Sequence, residues 1–346
     1  VDDMTRIATF YNNKGGVSKT TTLFNVAVFL TEKKKKKVLL VDCDPQCNLT
    51  ELFLASSESY LSEVKLPGTS VYQALRARFQ GDASRVDAKM VELIDSPIYE
   101  RLKLLRGDFE LSLAEGYLSS AVSLSITENV HEKNTYLALR RLFLDLGNIH
   151  GADYVLVDVG PSTGALTRLA FLSCDFFVIP TTPDRFCNQA VEVLSRVVSD
   201  WVKRHKDIMS TFPPFGLEPF PGAPIFLGAV SQNFKALGGR LKESYAKWDK
   251  LIAKNLKKYF VEGGPVAHSS MQLEKSPYIT QIPDVGTLAP IAQMFGRAIF
   301  DVQQEHTQMA STTGASYGGV VWGNWLTRKQ DYEKRIGLIA SAIQNG

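Results

Sequence analysis

Five short runs of β-branched and aromatic residues recur along the chain: RIATFY (6–11), VLLVD (38–42), DYVLVD (153–158), DFFVIP (175–180) and PIFLGAV (224–230). They are apolar at successive positions rather than alternate ones, which suits strands buried on both faces. Each is followed by a turn and then by apolar positions at helical spacing. That alternation predicts an α/β fold: a doubly wound, mainly parallel sheet with helices on both faces. Ligands in such sheets sit at the carboxyl ends of strands. The unusual residues fall there, after Tyr11, at Asp42, at Asp158 and after Pro180. Residues 55–135 and 200–275 are less regular and are expected to hold helical insertions. A last helix is expected over 325–344. No Pro/Gly/Ser linker divides the chain, so one domain over 1–346 is expected.

Composition changes this picture little. The chain has 346 residues, 45% hydrophobic and 22% charged, as in an ordinary globular protein. A net charge of +3 is mild, so any nucleic-acid footprint must be a local patch. Cys43, Cys47, Cys174 and Cys187 show no metal-ligand spacing and read as reduced thiols of a cytosolic protein. No apolar run approaches the ~18 residues of a membrane span, and no signal peptide is recognisable. The opening VDDM points to Met4 as the natural start, with Val1 to Asp3 an added remnant. The run Lys33 to Lys37 lies between a helix and the next strand and reads as a solvated turn.

The chemistry concentrates in NNKGGVSKTTT (12–22). Gly15 and Gly16 allow a positive-φ turn and let backbone N–H groups approach an anion. The helix beginning near Lys19 adds its N-terminal dipole and free N–H groups. Lys19 can reach the β- and γ-phosphates of a nucleotide, Thr20 supplies a hydroxyl for Mg²⁺, and Thr21 can contact the α-phosphate. Yet Asn13 and Ser18 stand where a P-loop normally has glycines, and a second lysine, Lys14, is present.

The stretch K-G-G-V-S-K-T-T resembles the deviant Walker A motif of the ParA/MinD group of P-loop ATPases. The resemblance implies a nucleotide site at Gly15, Gly16, Val17, Ser18, Lys19, Thr20 and Thr21, with ATP and Mg²⁺ as cofactors. It makes Lys14 the signature lysine, which crosses a dimer interface to the partner's phosphates. VLLVDCDPQCNLT (38–50) is similar to the family's switch I segment, in which Asp44 orients the attacking water. Asp42 and Asp44 at the mouth of a phosphate site are repelled by the phosphates unless a metal or water mediates, which implies Mg²⁺, and Asp42 is expected in the metal shell. VLVDVGPSTGAL (155–166) looks like Walker B plus switch II. Asp158 there holds the Mg²⁺ shell through water, and Gly160, in place of a proline, is expected to loosen the segment. IPTTPDRFCNQAVEVL (179–194) resembles the strand end and helix that close over the nucleotide and the dimer partner. GAVSQNF (228–234) matches the strand whose end presents an amide to adenine, either Gln232 or Asn233. PDVGTLAPIAQMFGRAIFDV (283–302) is similar to the last core segment beside the base.

Within that group, the segment after Asp158 has no cluster-binding cysteines and the chain has one P-loop. No N-terminal helix-turn-helix extension is expected. The tail 325–346 is amphipathic, but its basic and acidic residues are mixed, so a packed helix is favoured over a membrane anchor. Lys247, Lys250, Lys254 and Lys257 follow helical spacing on one face, with Leu241, Tyr245, Trp248, Ile252 and Tyr259 on or near another. These lysines are a candidate surface for nonspecific double-stranded DNA. The resemblance implies an ATPase for DNA segregation that forms an ATP-dependent homodimer on the nucleoid. A ParB-like partner or cargo adaptor would stimulate its slow hydrolysis. A MinD-like membrane-associated regulator, a ParA-like ATPase with non-DNA cargo and an enzyme resembling dethiobiotin synthetase are the alternatives.

Overall fold

The structure is a computed structural model. It describes residues 5–57, 66–82, 84–234, 236–237, 240–241, 243–311, 314 and 317–346, and only the backbone of 233–234, 236–237, 240–241 and 244. The start at Met4 and the side chains of Asn233 and Leu241 lie outside the described residues. The strands are β1 (Arg6–Phe10), β2 (Val38–Cys43), β3 (Ile94–Asp95), β4 (Leu102–Leu105), β5 (Tyr154–Val159), β6 (Phe176–Thr181), β7 (Ile225–Phe234), β8 (Ala236–Leu237), β9 (Arg240–Leu241) and β10 (Tyr278–Pro283). Among the described residues, eight of them form one sheet in the order β10-β7-β6-β1-β5-β2-β4-β3, and β8 and β9 form a hairpin. Only the β3–β4 pair of the large sheet is antiparallel.

Both faces of the sheet are apolar because successive residues go to opposite layers. Ile7, Leu39, Val41, Val155, Val157, Phe177 and Ile179 face one layer. Ala8, Phe10, Val38, Leu40, Leu156, Phe176 and Val178 face the other. That second layer is covered by α1 (Lys19–Lys34) and α2 (Asn48–Leu54). The first is covered by α3 (Val71–Phe79), α4 (Ala114–Leu124), α5 (Val130–His150), α6 (Ala165–Leu172), α7 (Arg185–Met209) and α8 (Glu243–Leu256). A π-helical turn, Lys257–Glu262, and the short α9 (Gln272–Lys275) follow α8. The chain closes the second layer with α10 (Leu288–Met294), α11 (Gln304–Met309) and α12 (Gly319–Asn345).

Two expectations meet structure here. The tail helix α12 buries Tyr332, Ile336, Ile339 and Ile343 in the second layer, against α1 and β10. That stripe is spent on the core, while Val320, Val321, Leu326 and Leu338 of the same helix stay exposed. Among the described residues no helix is long and apolar enough to cross a membrane. The lysine run, expected as a turn, begins in the last turn of α1 with Lys33 and Lys34 and continues through the connection at Lys35; Lys33 pairs with Glu333 at 2.7 Å and Lys36 with Asp153 at 2.9 Å. It therefore ties α1 to α12 and to the start of β5 as well as facing solvent.

Candidate nucleotide site

The site forms at the carboxyl ends of adjacent parallel strands. The loop between β1 and α1 turns through two left-handed residues, Gly16 at φ 73° and Ser18 at φ 57°. Asn12 braces its start, donating to the Pro180 carbonyl at 2.8 Å and accepting from the Lys14 N–H at 3.0 Å. Gln232 braces its far side: its Oε1 accepts from the Thr22 hydroxyl at 2.8 Å and its Nε2 donates to the Val17 carbonyl at 3.3 Å. The loop borders a cavity of about 350 Å³ whose lining includes Gly15, Gly16, Val17, Ser18, Lys19, Thr20, Thr21 and Asp44. The residues singled out in the sequence as a candidate phosphate site, Gly15 to Thr21, thus line one cavity with Asp44.

Lys19 is buried, with Nζ 3.4 Å from the Lys14 carbonyl. Burial lowers its pKa, and the carboxylates Asp158 and Asp44 oppose that shift. The parallel register of β2 and β5 sets Asp42 directly beside Asp158. Burial raises the pKa of both carboxyls, and neighbouring carboxylates add to the shift. The two aspartates are satisfied differently. Asp42 Oδ1 accepts from the Asp44 N–H, while Oδ2 accepts from the Thr50 N–H at 2.9 Å and the Thr50 hydroxyl at 2.6 Å. The same Thr50 oxygen accepts from the Gly107 N–H at 2.9 Å. Asp42, expected in the metal shell, here braces the segment after β2, with both oxygens already accepting hydrogen bonds from its own chain.

Asp158 is the opposite case. Its Oδ2 accepts from the Thr20 hydroxyl at 2.6 Å, but its Oδ1 is buried with no hydrogen-bond partner. A buried carboxylate oxygen without a donor is costly, and a cation beside Thr20 would satisfy it. Among the described residues no three His, Cys, Asp or Glu side chains converge as a metal centre. The donor set suits Mg²⁺, which takes one or two protein oxygens and completes its shell with phosphate and water. Thr20 and Asp158 would hold the ion, with Asp44 at the edge of the same cavity.

Three further placements differ from expectation or add to it. Gly160 has a packing reason: a Cβ there would lie 3.1 Å from Asp44 Oδ1, so glycine permits close approach rather than simply loosening the segment. Gln232, expected at adenine, is not on the cavity, because both ends of its amide are engaged in bracing the loop. The far end of the cavity is lined instead by Asn25, Leu52, Ala289, Ala292, Gln293, Arg297 and Ile299. The resemblance of 283–302 had pointed to that segment, but no local pattern singled out Gln293 or Arg297.

Lys14 does not enter its own cavity. Its ammonium donates to the Thr182 hydroxyl at 3.0 Å and is ion-paired with Asp184, the N-cap of α7. Burial would raise the Asp184 carboxyl, but donation from Lys14, Thr182 and the Cys187 N–H outweighs it and lowers the pKa. Farther out, Lys247, Lys250 and Lys254 are exposed on α8, whereas Lys257 is half-buried and pairs with Glu262 at 3.4 Å. The inner face of α8 is fixed by buried Ile252 and Leu256 and by Asp249, which accepts from Ser231 at 2.7 Å and Gln281 at 2.6 Å.

A sequence profile for a family described as an AAA domain matches residues 5–211. The chain is 29% identical over 196 residues to the sporulation initiation inhibitor protein Soj of Bacillus subtilis. It is 29% identical over 199 residues to the chromosome partitioning protein ParA of Myxococcus xanthus. These stretches cover 57% and 58% of this chain, and 64% and 59% of the relatives, less than two thirds of either. An ATP complex of McdA from Cyanothece superposes over 96% of both chains with a TM-score of 0.58, and at 15% identity that likeness shows the fold.

Proposed function

The chain belongs to the AAA-domain family of ParA/MinD-type P-loop ATPases matched over residues 5–211, and on that premise we propose that it is a partition ATPase that hydrolyses ATP and binds DNA as a dimer. The observation that carries the ATPase reading is the pairing of Thr20 with Asp158, whose second oxygen is buried and unpartnered, beside a buried Lys19 in the loop cavity. Lys19 and the loop N–H groups bind phosphate charge. Bound Mg²⁺ would offset the negative charge that develops on the phosphates during transfer. Asp44 is assigned to orient the attacking water. Its backbone setting is fixed by Asp42, and its own Oδ1 accepts from the Gln46 N–H at 3.0 Å.

Lys14 is assigned to the partner subunit's nucleotide. Held by Asp184 in the single chain, it must leave that carboxylate when two copies close over their nucleotides. The exposed lysines of α8 are assigned to DNA phosphates, because no base-reading motif accompanies them. The proposed cycle is ATP-dependent dimerisation, salt-sensitive DNA binding and release on hydrolysis stimulated by a ParB-like partner.

The test is binding to a fluorescent nonspecific duplex with no nucleotide, ADP, ATP or a non-hydrolysable analogue, across a salt series. Wild type is expected to bind only with ATP or the analogue, more weakly as salt rises. Lys14→Ala is expected to lose that binding, and Asp44→Ala to keep it while losing turnover. Binding in no state removes the DNA reading. Turnover unchanged in Asp44→Ala removes the assignment of Asp44.

A further inference from the structure

We propose that Glu115, on α4, is a positioning residue for the hydrolysis reaction, holding switch II in place from outside the nucleotide site. The inference rests on the ATPase reading above. Its geometric basis is the N-terminus of α6, the helix that follows switch II. The N-cap residue of α6 is Gly164, which has no side chain to satisfy the first N–H groups of the helix. Glu115 reaches across from α4 to do so. Its Oε1 accepts from the Ala165 N–H at 2.5 Å and its Oε2 from the Leu166 N–H at 3.1 Å. A carboxylate with one oxygen on each of two successive amides is a charge-assisted clamp, and it faces the positive end of the helix dipole.

The local sequence is built around this contact. A Cβ on Gly164 would lie 2.6 Å from Glu115 Oε1, so any other residue there would displace the carboxylate from this position. Glu115 itself is carried rigidly, because Ala114, Leu118 and Ala121 of the same helix are fully buried in the core. Between the clamp and β5 lies the segment that reaches the site. Gly160 abuts Asp44, Pro161 lines the cavity, and the Ser162 carbonyl accepts from the Tyr11 hydroxyl at 3.0 Å. The segment is therefore stretched between Asp158, at the end of β5, and an α6 start whose place Glu115 sets. Releasing the clamp leaves the Gly160–Pro161 backbone held on the α6 side only through Ser162, by Tyr11 and by Thr167 at 2.7 Å, and loosens its place beside Asp44 without removing any group that lines the cavity.

The experiment compares wild type, Glu115→Gln and Glu115→Ala in steady-state ATP hydrolysis, in binding of a fluorescent ATP analogue and in deuterium exchange at the Ala165 and Leu166 amides. Glu115→Ala is expected to raise exchange at those two amides at least tenfold. It should lower kcat at least fivefold while KM and analogue affinity stay within twofold. Glu115→Gln keeps one acceptor and should fall between. Faster exchange with kcat unchanged in both variants, beside an active wild type, overturns the positioning role. So does a loss confined to analogue affinity. If the alanine variant exchanges fast throughout and is therefore unfolded, the glutamine variant decides on the same criteria. No turnover by wild type refutes the ATPase reading itself, and this inference with it.

Discussion

Lys14 shows how one side chain is placed by chemistry that its neighbours in sequence do not reveal. Its resting partner, Asp184, is 170 residues away and doubles as the N-cap of α7. The contact is partly exposed, so it is worth only about 0.2–1 kcal/mol. The proposed dimer breaks two such contacts, which together shift its equilibrium by about 2- to 30-fold. Asp184→Asn keeps a capping oxygen for α7 but loses the charge that holds Lys14. Sedimentation with a non-hydrolysable ATP analogue should show dimers at a protein concentration lower by that factor. A midpoint equal to wild type would mean that Asp184 does not restrain Lys14. Asp42 and Asp158 carry the same lesson. They are two aspartates side by side in register, and hydrogen bonds from Thr50 and Asp44 make one of them structural while the other keeps an open oxygen.

At the scale of elements, helices α5 and α7 meet around a buried polar pair. The Tyr136 hydroxyl donates to His205 Nδ1 at 2.9 Å, and His205 Nε2 donates to the Phe220 carbonyl at 2.8 Å. Burial holds the imidazole neutral and pulls its pKa down from 6.5 to about 4, with Arg168 and Arg140 acting in the same direction. The unfolded chain takes up this proton as pH falls below 6.5, while the folded chain resists until about 4, so stability is fully present above 6.5 and lost toward 4. For this group the loss between pH 7 and pH 5 is about 2 kcal/mol. Urea titrations at both pH values should show a drop smaller by that amount in His205→Gln than in wild type; equal drops would place the sensitivity elsewhere. Elements also mark what was legible in the sequence. The five long strands announced themselves by continuous apolar runs, and the loop by glycines, lysine and threonine packed into a few residues. LKLL of β4 was too short and mixed to stand out, and YITQIP of β10 alternates instead of running apolar. Glu115, and the bracing role of Gln232, were illegible because each acts on groups far away in sequence.

For the molecule as a whole, α12 is a wall of the second core layer rather than an appendage. Ile339 is fully buried there, so Ile339→Ala should cost about 2–5 kcal/mol. Calorimetry should show that loss, and liposome sedimentation of wild type should show no binding that depends on the tail. A stable Ile339→Ala protein, or tail-dependent sedimentation, would return the helix to the membrane side. The parallel sheet also gives the molecule two unlike ends. The loops after β1, β2 and β5 that border the cavity leave their strands at the carboxyl end, whereas the turn at Lys35 enters β2 at its amino end and is exposed. All four native cysteines are free and buried, which shields their thiols from reagents. A single Lys35→Cys substitution therefore offers an attachment point for a dye or a surface tether at the end remote from the nucleotide. The proposed rounds of assembly and release could then be watched on individual molecules without crowding the candidate site.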